Sequence, residues 1–115
     1  MEFTDSLKLN YEFRRAYRKG RSAAEPCLVV YARRNGKAGN RLGFTVSNKL
    51  GCAVVRNRVR RRLREIYRLN ESRLCRGHDV VVVARSRSVG ADYQRLEREF
   101  LRACAELGLV KESEM

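Results

Sequence analysis

Arg56-Asn57-Arg58-Val59-Arg60-Arg61-Arg62-Leu63-Arg64 runs on through Glu65-Ile66-Tyr67-Arg68, and the way this stretch must fold sets the frame for everything around it. Six of the first nine residues are arginine. Val59, Leu63, Ile66 and Tyr67 nevertheless fall at i, i+4, i+7 and i+8, the spacing of one face of an amphipathic helix. At about 100° per residue, Asn57, Arg60, Arg61, Arg64 and Arg68 gather on a separate stripe. The spacing predicts a helix from near Ala53 to near Asn70, seated by its apolar face and presenting guanidinium groups on another. Runs of charge are often no more than solvated helix faces. Here Arg is used almost to the exclusion of Lys, and only Arg offers a planar fork that matches phosphate oxygens and stacks on bases. Like charges at i,i+4 also cost a few tenths of a kcal/mol per pair. The pattern points to a polyanion that relieves the repulsion.

The whole chain supports that reading. It has 115 residues, with 26 Lys and Arg against 13 Asp and Glu, for a net charge of +13. This is enough for one domain with a real core, expected over residues 1–115 and ordered from about 7 to 108. The charge favours nucleic acid as partner over an anionic membrane. No apolar run approaches the ~20 residues that span a bilayer, and Met-Glu-Phe-Thr-Asp at the N-terminus lacks the features of a secretory signal. No membrane partner and a cytoplasmic location are expected. Cys27, Cys52, Cys75 and Cys104 have neither zinc-site nor short-loop disulfide spacing, and they read as reduced core thiols.

Outward from the arginine helix, Asn48 to Gly51 reads as a turn, preceded by a strand over Arg41–Ser47 with Leu42, Phe44 and Val46 inward. Residues 34–40 read as a glycine-containing hairpin loop. Before it, a strand over about Cys27–Arg33 has apolar residues on both faces, with Tyr31 towards a groove. Nearer the N-terminus, Asn10 is the expected cap of a helix over Tyr11–Lys19, which Gly20 would end in a left-handed conformation. Phe13 and Tyr17 stack at i,i+4 on that helix, and periodicity alone makes them plain core.

On the C-terminal side, Glu71 to Arg76 suggests a short helical turn, and Gly77-His78-Asp79 a break. Val80 to Ala84 reads as a central strand buried on both faces. A last helix over about Asp92–Leu107 buries Leu96, Phe100, Ala103, Cys104 and Leu107 and exposes Glu97, Arg98, Glu99, Arg102 and Glu106. Asp92 and Gly108 would cap it, and the final Lys-Glu-Ser-Glu-Met would fray. The order α-β-β-α-β-α implies an α+β fold, a small mixed sheet with helices packed on it.

Side-chain catalysis needs a positioned nucleophile, base or metal cluster, and the sequence supplies none. His78 beside Asp79 is a weak signal, Asp5, Asp79 and Asp92 are scattered, and the glycines match no phosphate loop. No catalytic and no metal-ligating side chain is assigned.

Leu50-x-x-Ala53-x-x-Arg56-Asn57-Arg58-Val59-Arg60-Arg61-x-Leu63-Arg64 resembles the signature of the protein subunit of bacterial ribonuclease P. Phe13-x-x-x-Tyr17 with Gly20, the Val29-Val30-Tyr31 strand, Gly43-Phe44-x-Val46-Ser47-x-Lys49, the valine strand and the terminal helix are similar too. The resemblance implies an accessory subunit of an endoribonuclease, a hydrolase that removes the 5′ leader of precursor tRNA. Chemistry would rest with a catalytic RNA subunit and Mg²⁺ bound mainly by RNA and substrate. The implied partners are that RNA and precursor tRNA, with no obligate protein partner. Arg56, Asn57, Arg58, Arg60, Arg61, Arg64 and Arg68 would face the catalytic RNA and the phosphates near the cleavage site. Phe13, Tyr17, Tyr31, Ser47 and Lys49 would line a cleft for the single-stranded leader, where aromatics beside cations suit sequence-tolerant stacking. The implied fold is ribosomal protein S5 domain 2-like, with a left-handed β-α-β crossover where physical precedent favours a right-handed one. Asn48 departs from the family's frequent Lys. A ribosomal protein, a DNA-binding regulator and a stand-alone metal nuclease are the competing readings. Asn57 alone offers an adenine-type reader for the second, and the third would cut RNA unaided.

Overall fold

The computed structural model describes residues 1–111. In chain order it forms β1 (Thr4–Ser6), α1 (Asn10–Lys19), β2 (Arg21–Ala24), β3 (Leu28–Arg34) and β4 (Asn40–Thr45). These are followed by α2 (Ala53–Asn70), β5 (His78–Ala84) and α3 (Tyr93–Glu106), with 3₁₀ turns at Asn48–Leu50, Glu71–Arg73 and Ser86–Ser88. The strands make one mixed sheet in the order β1-β4-β5-β3-β2. The valine strand β5 is its middle, as four consecutive valines require of a strand with no solvent face.

β5 pairs antiparallel with β3, Tyr31 opposite Val81, and parallel with β4, Gly43 opposite Val81. The expected hairpin between β3 and β4 is therefore absent, because β5 lies between them. Residues 34–40 instead pass over the start of β5, where the Asn35 N–H donates to the Gly77 carbonyl. The Asn35-Gly36 turn is real, with Lys37 N–H donating to Asn35 Oδ1 at 2.8 Å and Gly36 at φ 70°. A turn signal fixes a reversal of direction, not the pairing of the flanking strands. β4 and β5 are adjacent and parallel, and α2 occupies the connection between them.

Alternation along β5 divides the interior. Val80 and Val82 join Leu28 and Val30, packed with Val59, Leu63, Ile66 and Tyr67 of α2 and Leu96 and Phe100 of α3. Val81 joins Leu7 and Ala16, packed with Phe13, Tyr17, Tyr31 and Val83. Successive strand residues face opposite sides, so α1 covers one face of the sheet while α2 and α3 cover the other. The four apolar residues of the arginine helix are all at most 2 % exposed, and α2 matches its sequence-based bounds.

β1 and β2 were not foreseen, and order reaches below residue 7. Both are short, polar edge strands with no apolar alternation to betray them. β1 is tied to the end of α2 by Thr4 Oγ1 and Tyr67 Oη, 2.9 Å apart, and by Glu71, whose carboxylate accepts the Glu2 N–H at 2.8 Å. Leu9, not Asn10, precedes α1, and Glu12 reaches back to accept the Lys8 and Leu9 N–H groups, each at 3.0 Å.

Gly20 is extended, at φ −84° and ψ 171°. It is needed for close approach, since a Cβ there would stand 2.4 Å from the Ala16 carbonyl oxygen and 2.8 Å from that of Ala32. β5 starts at His78 instead of Val80. Glu99 is buried instead of solvated, accepting the Cys27 N–H at 2.7 Å and Arg95 Nε–H at 2.9 Å. Asp92 caps α3 through the Arg95 N–H, and Gly108 follows it at φ 73°.

The four cysteines are free, but only Cys27 and Cys104 are core thiols. Cys52 is exposed and Cys75 half-buried. Burial pushes the Cys104 thiol up to about 12, whereas the Val55 and Val54 N–H groups at the start of α2 hold the Cys52 thiol below its ordinary value. The frayed tail lies outside the described residues from position 112 onward. No helix among the described residues is long and apolar enough to cross a membrane.

Candidate nucleic-acid interface

Because α2 is seated by Val59, Leu63, Ile66 and Tyr67, its rotation is fixed and each arginine has an assigned direction. Arg60 and Arg64 adjoin the buried stripe on the side facing α1, and Arg61 and Arg68 stand further out. Arg62 lies on the α3 side, where its Nη1–H donates to the Ala91 carbonyl at 3.4 Å. Arg58 is exposed, roughly 60° beyond Arg61. Two of the polar residues act by holding others. Asn48 Oδ1 accepts from Arg56 Nη1 at 2.9 Å, while Arg56 Nε donates to the Gly51 carbonyl at 3.2 Å. Asn57 Oδ1 accepts from Arg60 Nη1 at 3.0 Å. Arg68 pairs with Glu65 one turn back. Arg58, Arg61 and Arg64 have no acid partner among the described residues.

Between α1, β4 and α2 runs a groove. One part, about 550 Å³, is lined by Asn10, Phe13, Arg14, Tyr17, Phe44, Thr45, Val46 and Arg60. An adjoining hollow of about 220 Å³ shares Phe13, Phe44 and Arg60 and adds Gly43 and Arg64. Phe13 lies flat enough on β4 that a Cβ at Gly43 would stand 2.5 Å from its ring, so glycine is required there. Tyr17 Oη and Thr45 Oγ1 share a hydrogen bond of 2.5 Å, and Tyr31 meets Tyr17 edge-on with centroids 4.9 Å apart. Phe13 and Tyr17 are half-buried, each with one side packed on Val81 and its neighbours and the other open to the groove.

The groove thus joins two sets of residues read separately from the sequence, the α1 aromatics and the α2 arginines. Tyr31 backs Tyr17 and does not line the groove. Ser47 and Lys49 are exposed on the turn that follows β4, where Ser47 Oγ accepts the Lys49 N–H at 3.2 Å. Arg14, Phe44 and Thr45 were missed as lining residues. Arg14 could have been found from its place beside the Phe13–Tyr17 stripe. Thr45 could not, because its partner lies 28 residues away.

The position of α1 is set by a buried ionic hub. Arg41 Nε and Nη2 donate to Asp79 Oδ1 and Oδ2 at 2.8 and 2.7 Å, and Nη1 to Glu12. Asn35 Nδ2 donates to Asp79 Oδ1 at 3.0 Å, and Arg33 Nη1 stands 3.8 Å from Asp79 Oδ2. Burial alone would push the Asp79 carboxyl up, but the hydrogen bonds from Arg41 and Asn35 hold it below its ordinary value. The Leu9 and Lys8 N–H groups, with Arg41 behind them, hold Glu12 down as well. Both acids are therefore anions locked against Arg41, and they pin the first turn of α1 to β4 and β5.

His78 cannot join Asp79 as a dyad, because adjacent strand residues point to opposite faces. His78 lies beside Ala32, Arg34 and Leu107 instead. Burial and then Arg34 hold its imidazole below the ordinary value, which leaves it neutral near pH 7. Among the described residues no group of three or more His, Cys, Asp or Glu side chains could hold a metal ion; Glu12 and Asp79 are committed to Arg41, and Asp5 is the acid that lines the smaller hollow.

The family model described as Ribonuclease P matches residues 1–108. The Ribonuclease P protein component of Natranaerobius thermophilus is 42% identical over 108 residues, covering 94% of each chain. That of Clostridium acetobutylicum is 44% identical over 106 residues, covering 90% of this chain and 89% of the relative. Among solved structures, the RNase P protein of Staphylococcus aureus superposes with a TM-score of 0.84 at 31% identity, over 92% of this chain and 97% of that one. The RNase P protein from Thermotoga maritima gives 0.78 at 31% identity, over 85% and 93%.

Proposed function

Because the chain belongs to the ribonuclease P protein family, we propose that it binds the catalytic RNA subunit through α2 and the 5′ leader of precursor tRNA through the groove. The observation that carries this reading is the meeting of Phe13 and Tyr17 with Arg60 and Arg64 in one open groove. A single strand has π-faces and phosphates, and the groove offers a partner for each without reading base edges, which suits leaders of varied sequence. Arg56, Asn57, Arg58, Arg61 and Arg68 continue the basic surface outward for the structured RNA, where phosphate contacts give affinity and register. Ser47 and Lys49, exposed on the turn that follows β4, would meet the strand beyond the groove.

The protein's part in endonucleolytic hydrolysis is then positional. Gripping the leader fixes the substrate beside the RNA that performs the chemistry, so that binding energy from a non-reacting segment aligns the scissile phosphate. Magnesium would supply the activated water and stabilise the leaving oxygen. With Glu12 and Asp79 bound to Arg41 and a single carboxylate, Asp5, lining the groove among the described residues, the ion is assigned to the RNA subunit and substrate. A cytoplasmic ribonucleoprotein needing no second protein fits the charge.

The test is to measure binding of the reconstituted holoenzyme to leader-bearing precursor and to mature tRNA. Phe13→Ala should weaken precursor binding by about 1–3 kcal/mol, the worth of one base–aromatic stack, and leave mature tRNA binding unchanged. Equal losses on both ligands would return Phe13 to the core and refute the leader site.

A further inference from the structure

The outward face of α1 carries charge that neither the groove nor α2 explains. At about 100° per residue, Tyr11, Arg14, Arg15, Arg18 and Lys19 share one arc of about 140°. None of the four cations has an acid partner among the described residues. The one acid of the helix, Glu12, is buried on another side and taken by Arg41. Arg14–Arg18 and Arg15–Lys19 are like-charge pairs at i,i+4, which disfavour the helix unless an anion neutralises them. Arg15 lies over the ring of Tyr11 at 5.1 Å, and Tyr11 remains 50% exposed. These five residues border a shallow hollow of about 320 Å³. Arg14 lines both that hollow and the groove, so a strand leaving the groove past Arg14 is delivered onto this face.

We propose that the outward face of α1, through Tyr11, Arg15, Arg18 and Lys19, holds leader nucleotides farther from the cleavage site than those in the groove. This rests on the leader reading of the groove. A single strand is the occupant because an exposed ring beside guanidinium groups stacks on unpaired bases, which a duplex keeps enclosed. The surface is also separate from α2, since α1 and α2 lie on opposite faces of the sheet.

The experiment uses the holoenzyme and a series of precursors of increasing leader length. It compares the unmodified protein with Arg15→Gln/Arg18→Gln/Lys19→Gln, retaining Arg14 because it lines the groove. In the unmodified holoenzyme, affinity should rise with leader length past the point where the groove is filled. In the variant the rise should stop earlier, and the log–log salt slope for the longest leader should become shallower by about 2, from three contacts at ~0.7 each. Short-leader precursor and mature tRNA should bind both proteins alike. An equal loss on every ligand would assign the face to the RNA subunit or the tRNA body, and an unchanged long-leader affinity would make it a solvated face. Either result overturns the proposal. Failure of the groove reading looks different: the unmodified holoenzyme would not prefer a short-leader precursor to mature tRNA. A photoreactive base placed upstream of the groove, used with the unmodified protein, gives a second measurement independent of variant folding. It should attach to the segment containing Tyr11, and attachment only elsewhere overturns the proposal.

Discussion

Arg41 and Arg64 differ in what they meet, one under the first turn of α1 and the other in the groove. The guanidinium of Arg41 donates to Glu12 and to both oxygens of Asp79, and its side chain is only 20% exposed. The guanidinium of Arg64 meets no acid among the described residues and lines the groove. One arginine holds the fold together and the other is left without an internal acid among the described residues, although nothing in the residue itself distinguishes them. What differs is the supply of acids. The chain has half as many acids as bases, and of the buried ones Glu12 and Asp79 are spent on Arg41, which joins three elements, while Glu99 is spent on the Cys27 N–H and on Arg95 of its own helix. The cations left over define the surface proposed to bind RNA.

Arg41→Met is the severest way to break that contrast. It leaves Asp79, 1% exposed, without its main counter-charge, and removal of one partner from a buried pair costs about 3–5 kcal/mol. Denaturant unfolding should show a loss of that size. A loss under about 1 kcal/mol would mean that the hub is not what anchors α1. The double variant Arg60→Glu/Arg64→Glu should do the reverse, leaving unfolding midpoints nearly unchanged. Affinity for the RNA subunit and precursor should fall on the order of 100-fold at physiological salt, with the slope shallower by about 1.4 if each arginine meets one phosphate. Affinity that stayed the same would remove these residues from the interface.

Acid sharpens the comparison further. The Glu12 and Asp79 carboxyls are held below their ordinary values of 4.5 and 3.8. A depressed folded pKa contributes stability that is complete above the unfolded value and lost as pH falls through the folded one. Stability should therefore hold from pH 7 to about 5 and decline below about 4, beyond what general charge repulsion produces. In Arg41→Met the sign for Asp79 inverts, since burial without the guanidinium raises its pKa. The penalty of that variant should be greatest near pH 7 and smaller at pH 4. A penalty independent of pH would show that Arg41 acts by packing alone.

Which arginines belonged to which class was only partly legible in the sequence. α2 could be read to within a residue because four apolar side chains at helical spacing outweigh the charge around them, and the same spacing gave the ladder its direction. β5 was legible because four valines permit only a central position. The sheet order was not, since pairing depends on which edges meet, and residues 34–40 carry a turn signal that fits a hairpin equally well. β1 and β2 are polar and short, so their pairing is set by the neighbours they cover. The hub was hidden for a different reason. Glu12, Arg41 and Asp79 are brought together from three elements separated by 29 and 38 residues, and only the fold reveals that they share a face. Glu99 was misplaced on the same ground, because an exposed-looking helical position turns inward where Cys27 and Arg95 satisfy it. The groove was half legible. Periodicity made Phe13 and Tyr17 core, and family resemblance made them ligand-facing. Their half-burial is compatible with either reading, with one side of each ring packed and the other open to the groove.

Arg68 is the borderline member of the comparison, and Glu65→Gln is the smallest change that decides its class. The sequence places it in the phosphate ladder, and its position on the exposed arc agrees, but among the described residues it is the one ladder residue with a carboxylate partner, Glu65, at i,i+3. Both side chains are well exposed, at 52% and 43%, so the pair adds little to the fold, and its main effect is to compete with any phosphate that approaches. Replacing the carboxylate by an amide removes that competitor without adding bulk. If Arg68 reaches RNA, affinity for the RNA subunit should rise slightly and the salt slope should steepen by a fraction of one phosphate contact, up to ~0.7, while the unfolding midpoint stays where it was. The same substitution in an Arg68→Gln background should then do nothing, because the cation it releases is absent. If affinity in the single variant is unchanged, Arg68 belongs with Arg41 among the arginines that the protein's own acids consume, and the ladder ends at Arg64.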